Sequence, residues 1–192
     1  MNPSFARLIA IVLLPLAAGP AWSATAWTTN AATSKLVFIA TQAGGEFEGR
    51  FARFAPVIVF DPADLAHSRF AVQIDTASAE TGETDRDNTL KGKDFFATSQ
   101  WPAARFETSA FRAISPGNFE ATGRLTLRNV TRDVRLPFTF KPSPDGRTAV
   151  LAGGATVQRL DYGVGQGEWA DTQWVGNDVR IRFELHLAKA AP

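Results

Sequence analysis

Apolar and polar residues alternate along most of the chain beyond residue 33, the spacing of strands that turn one face to a core. The alternation is cleanest from Phe119 to Phe140. Phe119, Ala121, Gly123, Leu125 and Leu127 share one face, and Val134, Leu136, Phe138 and Phe140 resume it after a short break. Two period-two runs around a tight connection predict a β-hairpin, with Asn129 at the turn because its side chain tolerates left-handed backbone. The opposite face carries Arg124, Arg128, Arg132 and Arg135. Those arginines read either as a solvated face or as an anion-binding ribbon, and the solvated face is the simpler reading.

Other segments repeat the pattern. Ser34–Thr41 is β-branched and aromatic and predicts a first strand. From Phe47 the apolar phase runs Phe47, Gly49, Phe51 and restarts at Phe54, Pro56, Ile58, Phe60; a one-residue phase change in a long strand predicts a bulge that bends it. Phe70, Val72, Ile74 and Thr76 make a third strand, and Ala104, Phe106, Thr108 and Ala110 a fourth. After the hairpin, Ala149–Val157 is a strand of small residues and Val179–Leu187 closes the series. Thr84–Lys91 breaks the alternation and predicts one short helix, with Thr84 as N-cap, Asp85 and Asp87 at its start, and Gly92 as its stop. The count is eight mostly antiparallel strands and one helix, which suits a closed up-and-down barrel or a two-sheet sandwich.

The start of the chain belongs to a different category. Arg7 with the amino terminus, the apolar run Leu8–Ala18 and the small residues of Ala21-Trp22-Ser23 form a cleavable signal peptide over residues 1–23, with Ala24-Thr25-Ala26 as a second possible cleavage site. The apolar run falls short of the ~20 residues of a membrane-spanning helix. Residues 24–192 are then one exported domain, expected in the periplasm. The whole chain carries 20 basic and 19 acidic side chains. Removing residues 1–23 takes away Arg7 and leaves the balance neutral, which argues against a nucleic-acid partner. There is no cysteine, so thiol catalysis and cysteine-type metal sites are excluded and the fold must hold by burial. Phe outnumbers Tyr by 15 to one, so the inward faces suit hydrocarbon better than polar chemistry.

The motifs that could carry chemistry are thin. Glu168 and Asp171 place two carboxylates in one loop, and with Asp85 and Asp87 they are the acids an enzyme would use here. His67 lies in a polar turn and His186 on an outward face, without metal-ligand spacing. Gly163-Val164-Gly165-Gln166-Gly167 is glycine-rich but lacks the lysine and strand-to-helix setting of a phosphate loop. Asp85-Arg86-Asp87 and Lys91, beside Phe95-Phe96, read either as a charged helix over the mouth of a barrel, able to meet the polar head of an amphiphile, or as a solvated helix with two plugging phenylalanines.

Taken together, Thr81-Gly82, Arg86-Asp87, Leu90 and Asp94-Phe95-Phe96; Trp101-Pro102 with Phe106; Gly123–Leu127 with Val130-Thr131; and Arg159–Gly165 resemble the YceI-like family of exported, lipocalin-like proteins. The resemblance implies an all-β, eight-stranded antiparallel lipocalin-like barrel with one short helix. It also implies a hydrophobic lipid ligand, an isoprenoid quinone or polyprenyl lipid, and no other cofactor, no metal and no established catalytic residues. Many relatives carry histidines where Thr41-Gln42 and Thr89 stand here, and a glycine where Asn129 stands.

The reading is therefore a periplasmic, non-enzymatic binding or carrier protein, with an enzyme acting through the loop carboxylates on a hydrophobic substrate as its alternative. Ligand-binding candidates are Phe38, Phe47, Phe51, Phe106, Leu125 and Phe138 on inward faces. Phe95, Phe96, Trp169 and Trp174 are expected near an opening, with Gln42 at a position of departure and Arg86 and Leu90 in the matching helix. Transient membrane contact and a homodimer are compatible with this reading. A barrel in the outer membrane, with the charged faces lining a channel, is a third possibility.

Overall fold

A computed structural model describes residues 24–191; residues 1–23, expected to be a cleaved signal peptide, lie outside the described residues. The strands are β1 (Ala26–Thr29), β2 (Lys35–Gln42), β3 (Gly45–Phe51), β4 (Phe54–Val59), β5 (Arg69–Asp75), β6 (Ala79–Glu80), β7 (Ala103–Ser115), β8 (Asn118–Leu127), β9 (Val130–Pro142), β10 (Thr148–Gln158) and β11 (Asp178–Lys189). Helix α1 spans Thr84–Lys91. Three pairs of short strands are halves of longer ones. β1 and β2 run in succession against β4 and β3, and β5 and β6 in turn lie against β4 and β3. β11 pairs with β2 through Arg180–Glu184 and with β1 through Leu187–Lys189, which closes the ring. Eight strand positions in up-and-down order result, so closure leaves no continuous free edge.

The predicted phase change falls between β3 and β4, at Ala52-Arg53. The neighbouring strand breaks at the same level, over 76–78, and the fully buried Ser78 joins the two bends. Its carbonyl accepts from the Ala52 N–H and its hydroxyl oxygen from the Arg53 N–H, both at 3.0 Å. A second irregularity lies in β7, where the register shifts between Thr108 and Ala110. Past that shift Phe111 turns to the core, against Phe70 at 4.8 Å between ring centroids. The sequence-based strand stopped at Ala110 because a single bulged residue destroys the alternation that would have carried it on.

At the β8–β9 turn Arg128 and Asn129 both have positive φ, 49° and 62°, the two-residue geometry that matches the twist of a hairpin. Asn129 occupies the turn as expected. Helix α1 begins at Thr84 with Glu83 at the N-cap position, so Thr84 is its first residue and not its cap. Asp87 serves the approach to the helix instead, accepting from the N–H and hydroxyl of Thr81 at 2.7 Å each.

The β9–β10 ladder is short, pairing Phe138–Pro142 with Ala149–Gly153 only. The Phe140 N–H bonds back to Gly117, so odd-numbered residues of β9 turn their N–H groups toward β10. Pro137 is the next such residue and has no N–H to offer, and the ladder stops there.

Inside, one end of the barrel is filled by phenylalanine. Phe60 is fully buried, and the rings of Phe70, Phe111, Phe119, Phe138 and Phe140 lie with centroids 5.0–5.7 Å from its own. The Trp27 indole N–H donates to the Phe60 carbonyl at 2.9 Å and closes the floor. Charged residues of the strands, among them Arg124, Arg180, Arg182 and Glu184, face outward and are exposed. That orientation is the reverse of a membrane barrel, whose outer face is apolar, and it overturns the channel reading.

Candidate functional site

Above the phenylalanine floor the barrel encloses a cavity of about 200 Å³. Its wall is built by the inward-facing positions of nearly every strand, including Leu36 and Phe38 of β2, Phe54 and Ile58 of β4, Phe106 of β7, Leu125 of β8, Leu136 of β9, Leu151 of β10 and Ile181 of β11. Among the described residues, Arg159 and Tyr162 are the only lining residues with polar side chains. A neighbouring pocket of about 220 Å³ lies at the opposite end from the floor and is polar on one side. Phe47, Leu90, Phe95 and Val175 line both spaces.

Two connections cover this end. The first runs from α1 to Phe96, where Leu90, Phe95 and Phe96 are buried; Phe96 packs on Phe51 at 5.9 Å and Phe95 on Trp169 at 5.5 Å. The second is the glycine-rich segment 160–177. Asp94 ties the two together, its carbonyl accepting from the N–H groups of Gly165 at 2.6 Å and Gln166 at 2.9 Å.

Two arginines complete the tie. Arg128 is buried, and its guanidinium donates to the carbonyls of Phe95, at 2.6 Å, and Gly163 while lying over the Trp101 ring. The solvated reading of this hairpin arginine is therefore wrong: the left-handed turn swings its side chain off the outer face and under the mouth. Arg159 is 4% exposed and directs all five of its N–H groups at backbone carbonyls: Gly176, Val164, Gly165, Trp169 and Val175, at 2.7–3.1 Å. Among the described residues no carboxylate pairs with it, and burial pushes its pKa below the ordinary arginine value; burial likewise lowers that of Arg128. Since every Arg159 N–H is engaged, the guanidinium holds the loop and offers no donor to the cavity. Tyr162 is 3% exposed, and burial raises its pKa.

The predicted ligand-binding residues divide among three places. Phe38, Phe47, Phe51, Leu90, Phe95, Phe96, Phe106 and Leu125 line the apolar cavity. Gln42, Arg86 and Trp169 line the mouth pocket, with Phe47, Leu90 and Phe95 on both. Phe138 and Trp174 stand in neither. Phe138 is stacked on Phe119 at 5.5 Å within the floor, and Trp174 is 51% exposed on the outside of the mouth. Sequence reasoning missed Arg159 as an organising residue, although Arg159–Gly165 was among the matching segments.

The acids do not converge. Asp85 lines the mouth pocket, Asp87 is held by Thr81, Asp171 accepts from the Gln173 N–H at 2.8 Å, and Glu168 is exposed. His67 and His186 pair with Asp64 and Glu184 on the surface.

A closed up-and-down barrel with an apolar interior and a covered mouth defines the class: a lipocalin-like barrel. Within that class the chain belongs to the YceI-like domain family, whose model matches residues 27–187. A UPF0312 protein of Vibrio cholerae serotype O1 is 26% identical over 185 residues, covering 94% of this chain and 93% of the relative. Among solved structures, BcnA of Burkholderia cenocepacia is similar with a TM-score of 0.79 and 31% identity, over 83% of this chain and 99% of that one. A polyisoprenoid binding domain from Saccharophagus degradans shares the fold at a TM-score of 0.64 and 14% identity, over 86% of this chain and 99% of its own.

Proposed function

We propose that this protein is a non-enzymatic binding or carrier protein for an isoprenoid-like lipid, working in the periplasm after loss of residues 1–23. The observation that carries this reading is the cavity: an apolar space whose one guanidinium has every N–H engaged by backbone. Such a space suits a branched hydrocarbon tail and gives a polar substrate nothing to bind. The fold it shares with a polyisoprenoid binding domain supports the same ligand class. Magnitudes agree, since burying a methylene is worth ~0.8 kcal/mol and ten carbons give about 8 kcal/mol before ordering costs, near micromolar affinity. No sharp polar motif is needed for that. An isoprenoid quinone or a polyprenyl lipid would place its tail on the phenylalanine-lined wall and its head at the mouth.

The test is organic extraction of protein purified from its native periplasm without detergent, followed by mass spectrometry. A co-purifying prenyl lipid is the expected result. Protein that carries no lipid and binds neither a prenyl quinone nor a polyprenyl probe would refute the proposal.

A further inference from the structure

The wall of the barrel is not bonded throughout. β9 and β10 pair only through Phe138–Pro142 and Ala149–Gly153, yet both strands run on toward the mouth, β9 back to Val130 and β10 to Gln158. Over that stretch β9 stays bonded to β8 and β10 to β11. Their other edges face each other across the wall with no ladder between them. The strands part where Pro137 has no N–H to give and where Gly153 approaches so closely that a Cβ would collide with the Pro137 carbonyl. Beyond this point the N–H groups of Asp133 and Arg135 point at the gap. Unbonded backbone is costly when dry, so a seam left in this state is one that water reaches.

The inward residues along the seam agree. Val134 and Leu136 of β9 and Ala155 and Val157 of β10 line the cavity and are only half-buried. On the bonded stretch of the same strands and the same face, Phe138, Phe140, Ala149 and Leu151 are buried. The cavity wall is therefore exposed from the side, along the line where the ladder fails. The mouth is tied instead. Arg159 holds five carbonyls of segment 160–177 and its flank, Arg128 holds Phe95 and Gly163, and the Asp94 carbonyl holds Gly165 and Gln166. Opening the mouth breaks these bonds together, whereas parting the seam breaks no ladder bond.

We propose that the β9–β10 seam is a lateral portal, through which a hydrocarbon tail enters and leaves the cavity while the covered mouth stays shut. The proposal rests on the lipid-binding reading above and adds to it the route of exchange.

The chain has no cysteine, so an engineered thiol pair acts alone. Continuing the register of Phe138 with Gly153 sets Arg135 against Thr156, both exposed and outside the cavity lining. Arg135→Cys with Thr156→Cys bars the seam, as a disulfide or, where the thiols stand too far apart, through bismaleimides of increasing length. Asp94→Cys with Gln166→Cys ties the mouth in the same way, where the Gln166 N–H donates to the Asp94 carbonyl at 2.9 Å. Delipidated protein is mixed with a farnesyl benzoquinone, and quenching of tryptophan emission in a stopped-flow mixer gives the association rate; displacement gives the dissociation rate. Barring the seam should slow both rates alike by about tenfold or more. Kd should stay within about twofold, because a blocked route raises the barrier and leaves the bound state as it was. Reduction of the disulfide should restore both rates, and the mouth tie should leave them at parental values. Parental rates with the seam barred, or slowed exchange with the mouth tied, would overturn the portal and leave lipid binding standing. Parent protein that binds neither this quinone nor farnesol would overturn the lipid reading itself.

Discussion

Arg159→Met is the substitution that most directly tests how the mouth is held. The side chain keeps an apolar stem and loses all five donors, leaving the carbonyls of Val164, Gly165, Trp169, Val175 and Gly176 without their partner. Val164, Gly165 and Val175 are buried residues; Trp169 and Gly176 are half-buried, and their carbonyls can regain water. Three stranded carbonyls at about 1 kcal/mol or somewhat more each put the loss near 3–5 kcal/mol, the range for removing one partner of a buried charged network. Removing the desolvated charge returns part of that, so the lower end, about 3 kcal/mol, is the working value. On a stability of 5–15 kcal/mol the barrel remains folded, because its ladders do not run through segment 160–177.

Urea unfolding followed by far-ultraviolet dichroism gives the global change. Trp169 and Trp174 report the loop itself: the half-buried Trp169 should shift its emission to the red as the segment loosens, and amides at Gly165 and Gln166 should lose exchange protection. Arg159→Lys should fall between, since an ammonium has three donors and no planar fork to reach five carbonyls. A variant within about 0.5 kcal/mol of the parent, with unchanged tryptophan emission and exchange, would show that the guanidinium does not hold the loop.

Three further outcomes follow from other parts of the fold. Phe60→Ala removes the ring at the centre of the floor and should cost about 3–5 kcal/mol, read as a lowered urea midpoint with the slope unchanged. Gly49→Ala places a methyl group into the Phe38 ring; the ring must swing into the cavity, so a farnesyl benzoquinone probe should bind more weakly in calorimetry, and parental affinity would refute the close approach. At the short β9–β10 ladder, the amides of Thr139 and Lys141 should be protected from exchange and those of Asp133 and Arg135 should exchange early. On the surface, a hydrogen bond from Arg112 at 2.9 Å holds the Glu120 pKa below its ordinary value. A depressed carboxylate stabilises the fold above its unfolded pKa and loses that contribution as pH falls through the folded one, so Arg112→Ala should move the Glu120 titration upward in an NMR pH series.

Much of the barrel is legible in the sequence because alternation is a direct imprint of a sheet with one dry face. Phe119–Phe140 shows both strands and the turn, and the phase change at Ala52-Arg53 shows the bend before any coordinates do. The pattern fails where the backbone departs from it. Ser109 interrupts the register of β7 and hides Phe111. β1, with only four residues, is too short for a period to be counted, although it is the strand that closes the ring.

The site is legible to a lesser depth, for a reason that concerns charge more than hydrophobicity. An inward phenylalanine on a floor and one on a cavity wall leave the same mark on a sequence, which is why Phe138 and Phe106 cannot be told apart there. Arginine is worse, because its usual place is the surface and the alternation of β8 put Arg128 on the polar side. What moves Arg128 inside is two successive left-handed residues, and what holds Arg159 there is a set of carbonyls contributed by a loop with no regular pattern. Neither side chain has a carboxylate partner near it in sequence that would betray its burial. Their role follows from the glycines around them: Gly163, Gly165 and Gly167 all adopt positive φ, and a Cβ at Gly165 would collide with the Arg159 guanidinium. A glycine-rich stretch beside an arginine, with no lysine and no strand-to-helix setting, thus reads as backbone carbonyls folded around a buried cation, and here that arrangement fixes segment 160–177 over one end of the barrel.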